Sequence, residues 1–333
     1  MMGQSRHNSR YRLLGLVPVL LAIALFLLCN TSFALIHGLI YPPITVSTLK
    51  IGLKHAHYLR STSEWEYYDS TCSAAIVGVK PLTLVTAAHC LREVNLTEPS
   101  KLPQIEIMHP QLSGISDAQI KKAFFQSYEI VADDVTQDIA VLVFDAKLSA
   151  DVVPLKIGYE TIQSTPTLLI CGFGRGYQEA DSTQPRCAER NIVANSTNFN
   201  AILPASYQPL DEMLHLKSRA QFEYTKELVH YEKALLAINR LDEKNQYSNK
   251  LPMATLGDSG GPWLNKTSSG RYQIIAITSL VERFYNKSTY WPFFEKDTPL
   301  TEYPYIAYGL RLDHPKVLEI LKNAQENGAD IRF

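Results

Sequence analysis

The sequence lacks an excess of charge of either sign. Its 32 lysines and arginines nearly balance 33 aspartates and glutamates, which leaves a formal net charge of −1 at pH 7. Proteins that bind nucleic acid or anionic membranes by general electrostatic attraction carry a basic surplus. We therefore expect neither as a partner of the mature chain. The hydrophobic content of 46% and charged content of 20% are typical of a folded globular protein.

Cysteine is scarce, and its arrangement excludes the common zinc sites. The five cysteines form no Cys-x-x-Cys pair and no cluster with histidine, so the sequence indicates no metal. Cys29 lies in an apolar segment near the N-terminus. The remaining four permit two disulfides in an oxidising compartment, and they are Cys72, Cys90, Cys171 and Cys187.

Only one long hydrophobic run is present, at residues 13–29. It carries no charge, follows three arginines and precedes the small residues Ser32 and Ala34. Seventeen residues are few for a membrane span, and these flanks are typical of a cleaved signal peptide. We predict a signal peptide over residues 1–34 and a secreted or periplasmic protein with no membrane contact after cleavage. A retained anchor is the alternative.

The rest of the chain divides into an irregular segment and a strand-rich region. Residues 35–71 read as irregular and are rich in tyrosine. Residues 72–333 contain short apolar runs, rich in Val, Ile and Leu, that alternate with turn residues. Such runs predict strands, and their spacing favours an all-β barrel or sandwich.

Two segments break this strand pattern. Residues 210–243 contain neither glycine nor proline, and their pattern predicts a helical insertion on the surface, with a lid or partner-binding element as the alternative. Its apolar residues at helical spacing are Leu228, Tyr231, Leu235 and Ile238. Residues 314–330 predict a C-terminal helix that ends at Gly328.

The stretch "GDSGGP" raises the question whether Ser259 is a nucleophile or a serine in a glycine turn. A serine hydroxyl needs an imidazole to remove its proton, and the imidazole needs a carboxylate to fix its tautomer. His89 follows a hydrophobic strand in "LTLVTAAHC", and Asp138 precedes another in "TQDIAVLVF". A hydrogen-bond donor beside such an acid would offset the cost of burying its charge. The sequence therefore offers a nucleophile, a base and an acid.

The cysteines suggest how the loops near these motifs are held. Cys72 lies 17 positions before His89, so a Cys72–Cys90 bridge would clamp the loop that carries the imidazole. Elimination then leaves Cys171 and Cys187 to pair with each other around a 15-residue loop.

In this order, "TAAHC", "DIAVL" and "GDSGGP" resemble the three signatures of the trypsin/chymotrypsin-like serine proteases. The separations of 49 residues from His89 to Asp138 and 121 from Asp138 to Ser259 also fit. The resemblance implies two six-stranded β-barrels, the catalytic site between them and a C-terminal helix. It implies a protein or peptide substrate, no cofactor, and a triad of His89 as base, Asp138 as its orienting acid and Ser259 as nucleophile.

The resemblance also implies supporting residues around this triad. The backbone N–H groups of Gly257 and Ser259 would form the oxyanion hole, and the flexibility of glycine suits that task. Ser279 matches the serine that hydrogen-bonds the triad carboxylate in the family. These assignments follow from the matched motifs alone.

Activation and specificity depart from the family pattern. No Ile-Val-Gly-Gly terminus is present to pair with Asp258, and cleavage after Lys50, which would make residues 35–50 a propeptide, is the candidate route to a free Ile51. The position that selects Arg or Lys when it is aspartate holds Met253. An uncharged pocket cannot balance a buried ammonium, so we expect small or apolar side chains before the scissile bond. The other candidate pocket residues are Leu280, Val281 and Ile306.

Two alternatives to an active protease of this family remain open. The residues around Ser259 also satisfy the G-x-S-x-G pattern of α/β-hydrolases, which requires a helix directly after the serine, with Asp297 and His314 as candidate partners. The other alternative is a catalytically inactive protease homologue that uses the double barrel as a binding module.

Overall fold

The computed structural model describes the chain from residue 38 to its end with several gaps. The described residues are 38–41, 47–59, 64–91, 105–109, 115, 118, 120–126, 137–148, 151–158, 167–174, 183–193, 207–209, 234–238, 254–286 and 305–333. They form two mainly antiparallel sheets with one α-helix, α1 (Pro315–Glu326), and a 3-10 turn at Ala88–Leu91. The strands are β1 (Leu39–Ile40), β2 (Thr48–Leu59), β3 (Glu64–Val79), β4 (Leu82–Thr86), β5 (Glu106–Met108), β6 (Ile120–Phe124), β7 (Ala140–Phe144), β8 (Lys156–Ile157), β9 (Thr167–Gly172), β10 (Arg186–Val193), β11 (Tyr207–Pro209), β12 (Ala234–Ile238), β13 (Pro262–Lys266), β14 (Tyr272–Asn286) and β15 (Tyr305–Arg311).

The first sheet has six strands in the order β5-β2-β3-β4-β7-β6. Two of its four inner strands, β4 and β7, are buried along their whole length, which explains why neither shows a regular alternation of apolar and charged residues. Leu49, Ile51, Leu84, Leu142 and Phe144 are among the side chains that fill this core. We call this sheet the first barrel.

The second sheet contains a closed ring of six strands. The order β10-β12-β15-β14-β13-β9 returns to its start because β9 also pairs with β10. Trp263 is fully buried in this second barrel, where its indole N–H donates to Thr278 Oγ1 at 2.9 Å. Gly309 on β15 leaves space for the indole ring, since a Cβ at this position would lie 2.7 Å from a ring carbon of Trp263. The short strands β1, β8 and β11 attach to the ring.

The C-terminal helix is held against the cores on one face. His314 caps it, Pro315 starts it, and Gly328 follows it with a φ of +97° that favours glycine. Val317, Ile320, Leu321 and Ala324 form its buried stripe.

The tail that follows α1 crosses to the first barrel. The Asp330 carboxylate accepts hydrogen bonds from the backbone N–H groups of Val79 at 2.9 Å and Lys80 at 3.2 Å. The tail lies so close to β3 that a Cβ on Gly78 would come within 2.0 Å of the Asp330 carbonyl oxygen. The last residues of the chain therefore complete the first barrel.

These observations confirm the all-β double barrel with a C-terminal helix. The prediction of a helix across 210–243 is wrong for residues 234–238, which form β12 and pair with β10 and β15. Pairing on both sides of that strand buries Leu235 and overrides its local helical spacing. The rest of that segment lies outside the described residues.

The prediction that residues 35–71 are irregular is also wrong for most of the residues that the structure describes there. Residues 48–59 form β2, which pairs with β3 along its full length. Ile51, proposed as a free terminus after cleavage, is fully buried in the middle of β2 and pairs with Cys72 and Ile107. A cut after Lys50 would therefore break a core strand, which argues against Ile51 as an activating terminus.

Within the described residues no helix is long and apolar enough to cross a membrane. The predicted signal peptide at 1–34, with its apolar run, lies outside them.

Candidate active site

His89 is held at the end of a core strand by a tight turn and a disulfide. The buried strand β4 ends at Thr86, and the 3-10 turn of Ala88–Leu91 follows at once. Cys90 in this turn is bridged to Cys72 on β3, as expected. The turn therefore has little freedom, while the His89 side chain remains 26% exposed.

Asp138 lies beside His89 because the strands that carry them are neighbours. Thr86 of β4 pairs with Ala140 of β7, so the residues just beyond these ends meet. Asp138 is 1% exposed and accepts hydrogen bonds from the His89 backbone N–H at 2.9 Å and from the Ser279 hydroxyl. Its two carboxylate oxygens each lie 3.0 Å from His89 Nδ1.

This arrangement sets the tautomer and the basicity of the imidazole. A proton on Nδ1 is shared with the carboxylate, which leaves Nε2 as the acceptor. Burial lowers the pKa of His89, but the negative charge of Asp138 and the hydrogen bond to it raise the pKa more, and the net shift is upward. The site can therefore stabilise an imidazolium.

The Ser259 loop packs on the turn that precedes His89. Gly257 and Gly260 on either side of it have φ of +96° and +79°, values that favour glycine. A Cβ on Gly260 would lie 2.1 Å from Thr86 Oγ1 and 2.8 Å from the Ala87 nitrogen. Only glycine allows this close approach. It places the backbone of Gly260, the residue after Ser259, against Thr86 and Ala87, which precede His89 by three and two residues.

Asp258, the residue before Ser259, has its carboxylate fully buried under the loop. The backbone N–H groups of Gly174 at 2.7 Å and Thr255 at 2.8 Å donate to it. Gly172 and Gly174 form a cradle for it, since a Cβ at either would lie within 2.5 Å of its carboxyl atoms. Burial raises the pKa of Asp258 to about 7, although both hydrogen bonds lower it.

We expect Asp258 to make folding stability fall as pH rises. Between pH 3.8 and about 7 the folded protein keeps a proton on Asp258 that the unfolded chain has released. The free energy of unfolding therefore falls by roughly 4 kcal/mol across that window. Asp258→Asn lacks this titrating group and so lacks this loss. The free energy of unfolding in urea, measured at pH 4 and pH 8, should therefore rise in the variant relative to the wild type as pH rises. Asp145→Asn at the surface is the control, and equal slopes for all three proteins would contradict the prediction.

The candidate pocket residues do not all share a face. Val281 on β14 pairs with Ala307 on β15. Ile306 is the residue before Ala307, so its side chain lies on the opposite face of the sheet from that of Val281. Ile306 is fully buried, and Val281 packs against the core around Trp263. Leu280 pairs with Tyr308 and shares the face of Ile306. Met253 lies outside the described residues.

The cysteines are paired as elimination predicted. Cys171 and Cys187 face each other on β9 and β10 and form the second disulfide. Atoms of Cys72, His89 and Cys90 lie within 4.8 Å of one another, which is close enough for a metal. Both sulfurs are consumed by the disulfide, so this cluster cannot supply thiolate ligands.

The α/β-hydrolase alternative is wrong. The residues after Ser259 lead directly into strand β13 at Pro262, where that fold requires a helix. His314, its candidate base, caps the N-terminus of α1. Asp297 lies outside the described residues.

Sequence reasoning missed Ser73, a buried residue that contacts the Ser259 loop. Its backbone N–H donates to the Ser259 carbonyl at 2.8 Å, and its hydroxyl donates to the Gly257 carbonyl at 2.8 Å. The position next to Cys72 was its only signal, because a serine inside a strand has no pattern of its own.

A comparison with protein families finds the Trypsin family over residues 56–222. This match includes the motifs of His89 and Asp138 and ends before Ser259. No curated protein sequence matches the chain. Since the family match spans half of the chain and the fold is a double β-barrel, the chain belongs to the trypsin family of serine proteases.

Proposed function

We propose that the protein is an active serine endopeptidase that hydrolyses peptide bonds through His89, Asp138 and Ser259. The observation that carries this proposal is the buried Asp138 carboxylate, which accepts three hydrogen bonds and faces His89 Nδ1 with both oxygens at 3.0 Å. Burial of such a charge costs stability, and a costly buried carboxylate beside a partly exposed histidine is typical of a functional site.

In the proposed mechanism Ser259 Oγ attacks the scissile carbonyl while His89 Nε2 takes its proton. Asp138 stabilises the imidazolium that forms, consistent with the raised pKa of His89. His89 then gives the proton to the leaving amine, and an acyl-enzyme remains on Ser259. Water, activated by the same imidazole, hydrolyses this ester and restores the free hydroxyl.

The backbone N–H groups of Gly257 and Ser259 form the oxyanion hole in this proposal. Such donors act on the charge that develops on the carbonyl oxygen, and loss of one costs on the order of 100- to 1000-fold in rate. The positive φ of Gly257 supports the assignment, because a side chain there would strain the turn and press on Gly174 Cα at 3.0 Å. Ser279 supports the triad by its hydrogen bond to Asp138.

We further propose that the substrate is a protein or peptide with a small or apolar side chain before the scissile bond. Met253 at the specificity position offers no charge, and Leu280 and Val281, which lie on opposite faces of β14, are both apolar, so neither face offers a charge at these positions. In a peptide library, cleavage should follow Ala, Val, Leu or similar residues at least tenfold more often than Arg or Lys. A dominant preference for Arg or Lys would contradict this assignment.

The protein is proposed to act outside the cytoplasm, after removal of residues 1–34. The two disulfides support this location, since such bonds persist in oxidising compartments. N-terminal sequencing of the exported protein tests it, and a mature chain that still contains residues 13–29 would favour the retained anchor.

Labelling with a fluorophosphonate tests the proposed activity. The reagent should add once per molecule, and peptide mapping by mass spectrometry should find the adduct on Ser259. Prior denaturation should abolish the reaction, because the hydroxyl is activated only in the folded site. No adduct in any processed form would favour the inactive homologue that acts as a binding module.

A further inference from the structure

Ser73 is hydrogen-bonded both to the Ser259 loop and to the strand end that precedes His89. It is fully buried on β3, next to the cysteine that is bridged to Cys90 in the His89 turn. Its carbonyl accepts from the Thr86 hydroxyl at 2.8 Å, at the base of the same turn. Ser73 is thus fixed to the first barrel on the side that carries the imidazole.

The side chain of Ser73 joins this position to the second barrel. Its hydroxyl donates to the Gly257 carbonyl at 2.8 Å and accepts from the Phe173 N–H at 2.8 Å. These partners lie 184 and 100 residues away in sequence, so the bonds bridge segments that the chain brings together only on folding.

The loop that contains Ser259 needs an external clamp of this kind. Glycine populates many backbone conformations, so Gly257 by itself would not hold a φ of +96°. Ser73 fixes the carbonyl on one side of Asp258 with its hydroxyl and the Ser259 carbonyl on the other with its N–H. With both carbonyls turned toward Ser73, the rotation of the Gly257–Asp258 and Ser259–Gly260 peptide units is set, and these lie on either side of the unit that carries the Ser259 N–H.

We propose that Ser73 is a positioning residue that holds the Gly257–Ser259 backbone in the conformation needed to bind the oxyanion. The inference rests on the proposed function, and it assigns to the first barrel a direct role in shaping a loop of the second half of the chain. Catalytic geometry of this kind must be held within about 0.5 Å. Loss of one hydroxyl therefore affects the rate more than substrate binding.

The test compares Ser73→Ala with a variant that loses an equivalent hydroxyl elsewhere. Thr83 on β4 is also fully buried, donates to the Pro81 carbonyl at 3.1 Å and accepts from the Asp330 N–H at 3.0 Å. Thr83→Val removes the same number of hydrogen bonds from the same barrel without touching the Ser259 loop. Both variants should lower the melting temperature by several degrees.

Only Ser73→Ala should slow the reaction. We expect its kcat on a peptide p-nitroanilide, counted per site that the fluorophosphonate titrates, to fall about 10- to 100-fold with KM within about twofold. Thr83→Val should keep kcat within about twofold. Counting titrated sites removes the contribution of molecules that have not folded.

A second variant covers the case in which Ser73→Ala does not fold. Thr86→Val removes the donor to the Ser73 carbonyl and leaves the Ser73 hydroxyl in place, and kcat should fall about 3- to 10-fold with KM unchanged. The inference is overturned if folded Ser73→Ala keeps the wild-type kcat, if Ser73→Ala does not fold and Thr86→Val keeps it, or if Thr83→Val lowers kcat as much as these variants do. An inactive wild type would instead overturn the proposed function, and the inference with it.

Discussion

Replacement of Ser259 by alanine should reduce kcat by about 10⁶-fold, the largest effect of any single substitution in this chain. The remaining groups can still bind a peptide and polarise its carbonyl, so KM should stay within a few-fold of the wild type. Hydrolysis then depends on water attacking without a covalent intermediate. Progress curves on a peptide p-nitroanilide measure the loss, and the fluorophosphonate adduct should vanish in the same preparation.

The control for this variant is Ser269→Ala. Ser269 lies in an exposed turn and hydrogen-bonds Thr267 Oγ1 at 2.9 Å, so its loss should leave kcat unchanged. Both variants should melt within about two degrees of the wild type, because neither substitution creates a core cavity. Retention of more than one per cent of wild-type kcat in Ser259→Ala would show that another group is the nucleophile.

Asp138→Asn should lower kcat/KM on the order of 10⁴-fold. An amide can offer its NH₂ to His89 Nδ1, which then accepts and leaves the proton on Nε2, the atom that must take the proton of Ser259. The variant also loses the negative charge that offsets the effect of burial on His89. Without it, burial is left to lower the pKa of the imidazole.

The pH dependence separates this effect from simple misfolding. The wild-type rate should rise with pH as His89 loses its proton, with a midpoint above the ordinary value of 6.5. In Asp138→Asn that midpoint should move to lower pH. Asp313→Asn, which removes a carboxylate paired with Arg311 at 2.6 Å, should keep both the wild-type rate and midpoint. An unchanged midpoint in Asp138→Asn would contradict the role given to Asp138.

The motifs indicate the candidate site more directly than they indicate the architecture around it. Each of the three motifs joins a candidate reactive residue to a strand end or a glycine turn, and local sequence encodes both features directly. The pairing of β4 with β7 then brings His89 and Asp138 together. The two disulfides also followed from the sequence, because four cysteines with one bridge fixed leave only one other pair.

Long-range pairing decided the elements that the sequence did not predict correctly. Residues 234–238 have helical spacing, yet strands on both sides capture them as β12. Residues 48–59 belong to the segment predicted to be irregular, but they form β2 of the first barrel by pairing with β3. Ser73 was missed for the same reason, since its partners at Gly257 and Phe173 lie in distant segments.

The contacts of the tail after α1 have a consequence for the order in which the structure can form during synthesis. Asp330 closes hydrogen bonds on Val79 and Lys80, and the Arg332 carbonyl accepts from the Ile157 N–H at 2.8 Å. A nascent chain that ends before Asp330 lacks the residues that make these hydrogen bonds, although all strands of the first barrel have already been synthesised. These hydrogen bonds therefore form only after residues 330–332 have been synthesised, long after the strands that they join to the tail.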